Sequence, residues 1–494
     1  MQGKRPPSLQ LGGNMSGKGL VKNLNVWEAV GISVALMAPS MAANINPQGS
    51  VGRAGRAVPL SFAIATIGVL LIAYGFVRLC QNFNHAGSVY GFVGATMGIR
   101  NGVIAGWGLI GTYTFYGCVT SMAAGIFGSK FLDEIGIWHH QPAWAPFVIG
   151  LVALALAYWV AVVPARNGTR LLLSFEGVTV ILILITTVVI FIKLATGHAP
   201  NNNHLDWSVF SIPKSSGFNG VFVGAVFGFL SFAGFEASAT LGEETTNPRK
   251  DISRAILGTA IFGGFYFIIV TAAEVMGFGT SDAGLKAFGS SGSLMGDLGT
   301  QFIGSWMGTI ISLGAAVSAF GCVIACLVGA SRLSFAMGRD SGNKYLSQVH
   351  TKNGTPMNAT RIITLTVLAI VIVWKFAWNK QAFDIFAGSG VIGTLILLIV
   401  YVLATIGAIK FLFFSGKKRT ASWEIIIPLA GIGLLGITLW ENIYPWPSSA
   451  AGRALPIAAI VWLAIGIIFI FAKPKLATKL GEQLRMDENL SEAR

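Results

Sequence analysis

Apolar runs long enough to cross a bilayer recur from one end of this chain to the other, and they leave room for few architectures. A membrane helix needs about 20 predominantly apolar residues. Twelve segments meet that condition, at roughly 26–46, 57–80, 102–128, 143–164, 170–195, 218–241, 252–279, 306–336, 359–377, 383–413, 423–440 and 455–472. Lipid offers no hydrogen-bond partners, so each crossing segment has to satisfy its own backbone as a helix. Only 11% of the residues are charged, against about 25% in soluble domains. The expected fold class is an all-α integral membrane protein with twelve transmembrane helices. The 62 glycines suit helices that approach one another closely.

A net charge of +14 would point to nucleic acid in a soluble protein. Here the basic residues follow the loops instead. With both termini on the cytoplasmic side, 25 of the 34 Lys and Arg residues fall inside and nine outside, as the positive-inside rule requires. Arg53 and Arg56 run against the trend. The expected placement is the cell membrane, multi-pass, with cytoplasmic tails at 1–24 and 474–494, lipid as a partner and no nucleic acid. Oligomeric state has no sequence signal. The four cysteines fall in or beside apolar runs and read as small packing residues. His139 and His140 read as a solvated surface pair, and no metal site is expected.

Two of the spans are interrupted. The first contains Met37-Ala38-Pro39-Ser40-Met41, and the sixth contains Leu230-Ser231-Phe232-Ala233-Gly234 with Glu236 just beyond. A five-span separation fits an inverted repeat of spans 1–5 and 6–10, each half opening on a broken helix. A break exposes N–H groups that can hold a carboxylate and C=O groups that can hold an ammonium or a cation. The substrate-binding candidates are therefore Ala38, Pro39, Ser40, Met41, Leu230, Ser231, Phe232, Ala233 and Gly234. Glu236 is expected to cap the freed N–H groups or to tie span 6 to its neighbours. As the only clear acid at the breaks, it favours a neutral or zwitterionic substrate.

Three motifs carry a family resemblance. Gly234-Phe235-Glu236, followed by Gly242-Glu243-Glu244 and Asn247-Pro248-Arg249, resembles the sixth span and following loop of the amino acid–polyamine–organocation (APC) superfamily of permeases. Ala86-Gly87-Ser88-Val89-Tyr90, followed by Gly106-Trp107, is similar to that family's second loop and third span. Arg332 with Met337-Gly338-Arg339-Asp340 is similar to the signature ending its eighth span, with Ser341 in place of the final glycine. The resemblance covers about residues 25–415. It implies a ten-helix inverted-repeat transport core there, two additional helices in 416–473, and a secondary amino-acid transporter. The chain departs from the family in having Ala38-Pro39-Ser40 where Gly-Ser/Thr-Gly is usual, and Leu230 where an aromatic gate is common.

The expected function is alternating-access transport of an amino acid or a closely related small amine, with no enzymatic activity. No cofactor is expected beyond a coupling proton or sodium ion. Exchange, polyamine or organic-cation carriage, and a transporter-fold sensor remain alternatives. Glu176 in span 5 is a candidate coupling residue. Glu274 in span 7 reads as interfacial. Ser312 and Ser318 in span 8 are candidate sodium ligands, Tyr113 and Tyr116 candidate cavity residues, and Glu243, Glu244 and Arg249 candidate inner-gate partners.

Overall fold

The structure, a computed structural model, describes residues 26–83, 88–162, 166–241, 245–349, 355–416 and 419–472. The tail segments 1–24 and 474–494 lie outside the described residues, as do Ala86, Gly87, Gly242, Glu243 and Glu244. The described residues form helices α1 (Val26–Met37), α2 (Pro39–Ala54), α3 (Val58–Asn82), α4 (Ser88–Met97), α5 (Ile99–Glu134), α6 (Ala145–Val162), α7 (Arg166–Ala195) and α8 (Gly217–Ser231). They continue with α9 (Pro248–Phe278), α10 (Asp282–Ser290), α11 (Leu294–Phe302), α12 (Ser305–Ser341), α13 (Met357–Ile372), α14 (Ala382–Phe413), α15 (Ile426–Ile443) and α16 (Ala450–Ala472). Among these residues, nine helical stretches are long and apolar enough to cross a membrane by length and composition, α1 to α3 counting as one; α8 is a shorter apolar helix.

Several expected spans change at their ends. The first was expected to stop near residue 46, yet α2 runs through Pro47 to Ala54. Pro47 deletes one backbone bond. Polar side chains of the same helix tie it to its surroundings: Gln48 donates to the Phe288 and Ser291 carbonyls, and Ser50 to the Gly224 carbonyl. Between the spans expected at 252–279 and 306–336, the chain holds two further short helices, α10 and α11. The span-8 motif has Ser341 where the family has glycine, and the glycine is met one residue later. Gly342 closes α12 in the left-handed region (φ 74°), its N–H bonded to the Arg339 carbonyl.

Small residues set the close packing. Gly49 of α2 lies under the Phe227 ring of α8, so the helices that follow and precede the two breaks run against each other. On the other side of the bundle, Gly111 of α5 receives the Trp462 indole of α16, and Gly466 of α16 receives the Trp107 indole of α5. The two indoles stack at 4.9 Å, and each donates its N–H to the other's backbone carbonyl (2.7 and 3.2 Å).

Candidate functional site

The first span breaks at Ala38, which takes a left-handed conformation (φ 46°, ψ 59°) between α1 and α2. Pro39 does not interrupt a helix here; it begins one, at a position where the missing N–H would have had no intrahelical partner anyway. Ala42 N–H bonds to the Ala38 carbonyl at 2.8 Å. That leaves Ser40 and Met41 as the free donors at the head of α2. Ser40 N–H donates to Glu176 Oε1 of α7 at 2.8 Å, and Met41 N–H to Ser318 Oγ of α12 at 3.2 Å. The Ser318 hydroxyl also lies beside the Glu176 carboxylate.

Two carbonyls around this break, one from α1 and one from α2, are partly covered. Leu36 C=O accepts the Cys322 thiol of α12 at 3.2 Å, and Pro39 C=O accepts the Tyr266 hydroxyl of α9 at 3.3 Å. Cys322 thus reaches the break itself, beyond the packing role expected of it. All four cysteines are free and buried.

The sixth span leaves the helix after Ser231 and passes through turns to a short 3-10 segment at Ala237–Leu241. Gly234 sits at φ 100°, and a Cβ there would stand 2.6 Å from the Leu36 side chain. The two breaks therefore meet at Leu36 and Gly234. Glu236 turns back onto its own break, its carboxyl beside the Gly234 and Glu236 N–H groups. Tyr401 of α14 donates to its Oε2 at 2.8 Å. The Tyr401 ring packs edge-on with those of Phe76 and Phe235, with centroid separations of 5.6 to 5.8 Å. Ser238 N–H goes to Ser33 Oγ of α1.

Beyond the breaks, α2 is anchored by amides. Asn46 donates to Ser231 Oγ at 2.8 Å, and Ser231 spends its own proton on the Phe227 carbonyl. That directionality fixes the Asn46 amide, whose Oδ1 is buried with no partner. Asn44 Oδ1 accepts from Ser293 Oγ, Met295 N–H and Gly296 N–H at 2.8, 2.9 and 3.3 Å, and so caps α11 from a different helix.

Of the nine substrate-binding candidates, Leu230 and Ala233 are 6% and 8% exposed, and Ser40 Oγ has no hydrogen-bond partner. Glu176 comes to the break of span 1, which spacing alone could not show. The expectation of Glu236 as the only acid there is corrected: one carboxylate stands at each break. Ser312 goes elsewhere, to Glu134 Oε1. Tyr116 is buried against Thr394 Oγ1 (3.0 Å). Tyr113 is the one partly exposed residue of α5 between Gly108 and Gly125, with its ring against Gly329 of α12. Arg249 is exposed at the start of α9. Glu274 is not interfacial as expected. It is fully buried, and neither carboxyl oxygen has a partner. Among the described residues no cluster of His, Cys, Asp or Glu could hold a metal.

A multi-pass helical membrane protein, with two broken helices meeting at buried polar groups, is the class that this fold and site define. The chain matches the amino acid permease family over residues 44–474, and it belongs to that family. It is 27% identical over 326 residues to the branched-chain amino acid permease BcaP of Bacillus subtilis, covering 62% of this chain and 65% of that relative. It is 25% identical over 432 residues to the low-affinity putrescine importer PlaP of Escherichia coli K12, 84% of this chain and 85% of the relative. Over 487 residues it is 24% identical to a methylthioribose transporter of Bacillus subtilis, 95% of this chain and 96% of the relative.

Proposed function

We propose that this permease is a secondary active transporter of an amino acid or a closely related small amine, working by alternating access between the breaks at Ala38–Met41 and Leu230–Gly234. The single observation that carries this reading is the meeting of the two breaks, Leu36 against Gly234, with a buried carboxylate at each. Free backbone groups at membrane depth are tolerated where protein or a ligand covers them, and discontinuous helices near the midplane are how such transporters build their sites. The family membership and the names of the relatives support the substrate class.

In this reading the core at 25–415 consists of two five-span halves, 416–473 adds two helices, and both tails are cytoplasmic. The bonds from α2 to α8, α10 and α11 close the outer end. The partly exposed Tyr113 marks space on the route through the bundle. Glu176 is the coupling candidate: it ties α7 to the head of α2, so a proton or cation that competes for its carboxylate would release one helix from the other. The coupling ion is a proton or sodium.

The test is uptake into proteoliposomes, with imposed proton or sodium gradients, across a panel of amino acids and amines. Gradient-dependent accumulation of at least one member is expected. Ser40→Leu, which puts a bulky side chain at the break, is expected to abolish uptake while the protein still reaches the membrane folded. Full uptake by that variant would place the site elsewhere.

A further inference from the structure

We infer that the site selects a small amine cation without an α-carboxylate, because groups of the protein itself, with a buried carboxyl among them at each break, already engage the backbone donors there. The inference rests on the transporter reading above and narrows its substrate class.

A ligand carboxylate needs vacant N–H groups. At the head of α2, Pro39 has none, Ala42 is bonded to Ala38, Ser40 is bonded to Glu176, and Met41 is bonded to Ser318. At the second break, Phe232, Ala233 and Phe235 bond to carbonyls of their own segment. The Glu236 carboxyl stands beside the Gly234 and Glu236 N–H groups of its own break, and Ser238 N–H is taken by Ser33. The helix-terminus donors that would attract an anion thus meet a protein carboxyl at each break.

What remains are acceptors. Asn46 Oδ1 is buried, 1% exposed, and unpartnered, and its orientation is fixed by the Ser231 hydroxyl. Leu36 C=O holds only a thiol, which is a weak donor. Ser40 Oγ makes no bond of hydrogen-bond geometry and lies beside the Glu176 carboxyl. Among the described residues neither Glu176 nor Glu236 is in an ion pair with Lys or Arg: the four ion pairs found there involve other residues. Two buried carboxyls with no protein cation nearby lack a counter-charge, and a positive ligand placed between them would favour their ionised form and bind them. An ammonium, with three N–H donors and no acceptor, complements this set. A zwitterion would bring a third carboxylate into it.

The decisive measurement uses matched pairs that differ only by the carboxylate: isobutylamine against valine, 3-methylbutylamine against leucine, and putrescine against ornithine. Binding to the wild-type full-length protein in detergent is read by equilibrium radioligand binding and by thermal shift. The amine of at least one pair should bind at least about tenfold tighter than its amino acid. Glu176→Gln should weaken that amine by about tenfold or more. Tighter binding of the amino acid in every pair would overturn the inference and leave the transporter reading standing. So would a Glu176→Gln protein that gains amino-acid binding, since Glu176 would then be a stand-in for the substrate's own carboxylate. No binding and no uptake of either member of any pair would remove the transporter reading and this inference together. The matched-pair comparison needs no variant, so it decides the matter even if Glu176→Gln fails to fold.

Discussion

Gly234 is held at φ 100° with the Leu36 side chain pressed against its α-carbon. An L-side chain there meets two penalties, a left-handed backbone costing about 1–2 kcal/mol and a Cβ with no room. Gly234→Ala should therefore lower the melting temperature in detergent and abolish uptake. Gly258 of α9 is the matched control. It lies in a regular helix with nothing within 4 Å of an added Cβ, and alanine suits a helix better than glycine. Gly258→Ala should leave both readouts unchanged or raise the melting temperature slightly. Equal effects from the two substitutions would mean that the span-6 break is not a constrained feature.

At the scale of elements, the head of α11 depends on a residue 250 positions away in kind but adjacent in space: Asn44 of α2 supplies the cap that Ser293 does not. Asn44→Ala should cost about 0.5–2 kcal/mol. Hydrogen exchange should quicken at the Met295 and Gly296 amides while the middle of α9 stays protected. Unchanged exchange there would show that α11 is held by packing alone. The breaks themselves were legible beforehand. Pro39 and Gly234 are residues that regular helices avoid, and Glu236 is a carboxylate in an apolar run. Their partners were not legible. Glu176, Tyr401, Ser318 and Cys322 each come from a distant helix, and nothing in the local pattern around them distinguishes a residue that reaches the break from one that packs nearby. Glu274 makes the same point in reverse: a position near the end of a helix suggested the interface, but α10 and α11, hidden in a polar stretch, cover that region of the fold.

For the whole molecule, the question is how α15 and α16 join the core. The Trp107–Trp462 pair answers it for α16, with two reciprocal indole bonds and two glycines that admit the rings. Trp462→Ala removes a large half-buried ring and leaves Trp107 without its stacked neighbour, which should cost less than the ~3–5 kcal/mol of fully buried truncations. The expected result is a lower melting temperature with the ranking of substrates unchanged, because Gly111 of α5 faces α16 whereas Tyr113 of the same helix faces α12. A changed ranking would show that α16 shapes the site.

Cys322 adds one last consequence. Its sulfur sits on the Leu36 carbonyl at 3.2 Å, at the end of α1 and beside the meeting point of the breaks. Any motion that swings α1 away from α12 must uncover that sulfur, and any motion that brings them together must hide it. In the alternating-access cycle proposed above, that sulfur would serve as a native reporter. The rate at which a small thiol reagent labels Cys322, with and without a ligand, would follow the separation of α1 from α12, with no label engineered in.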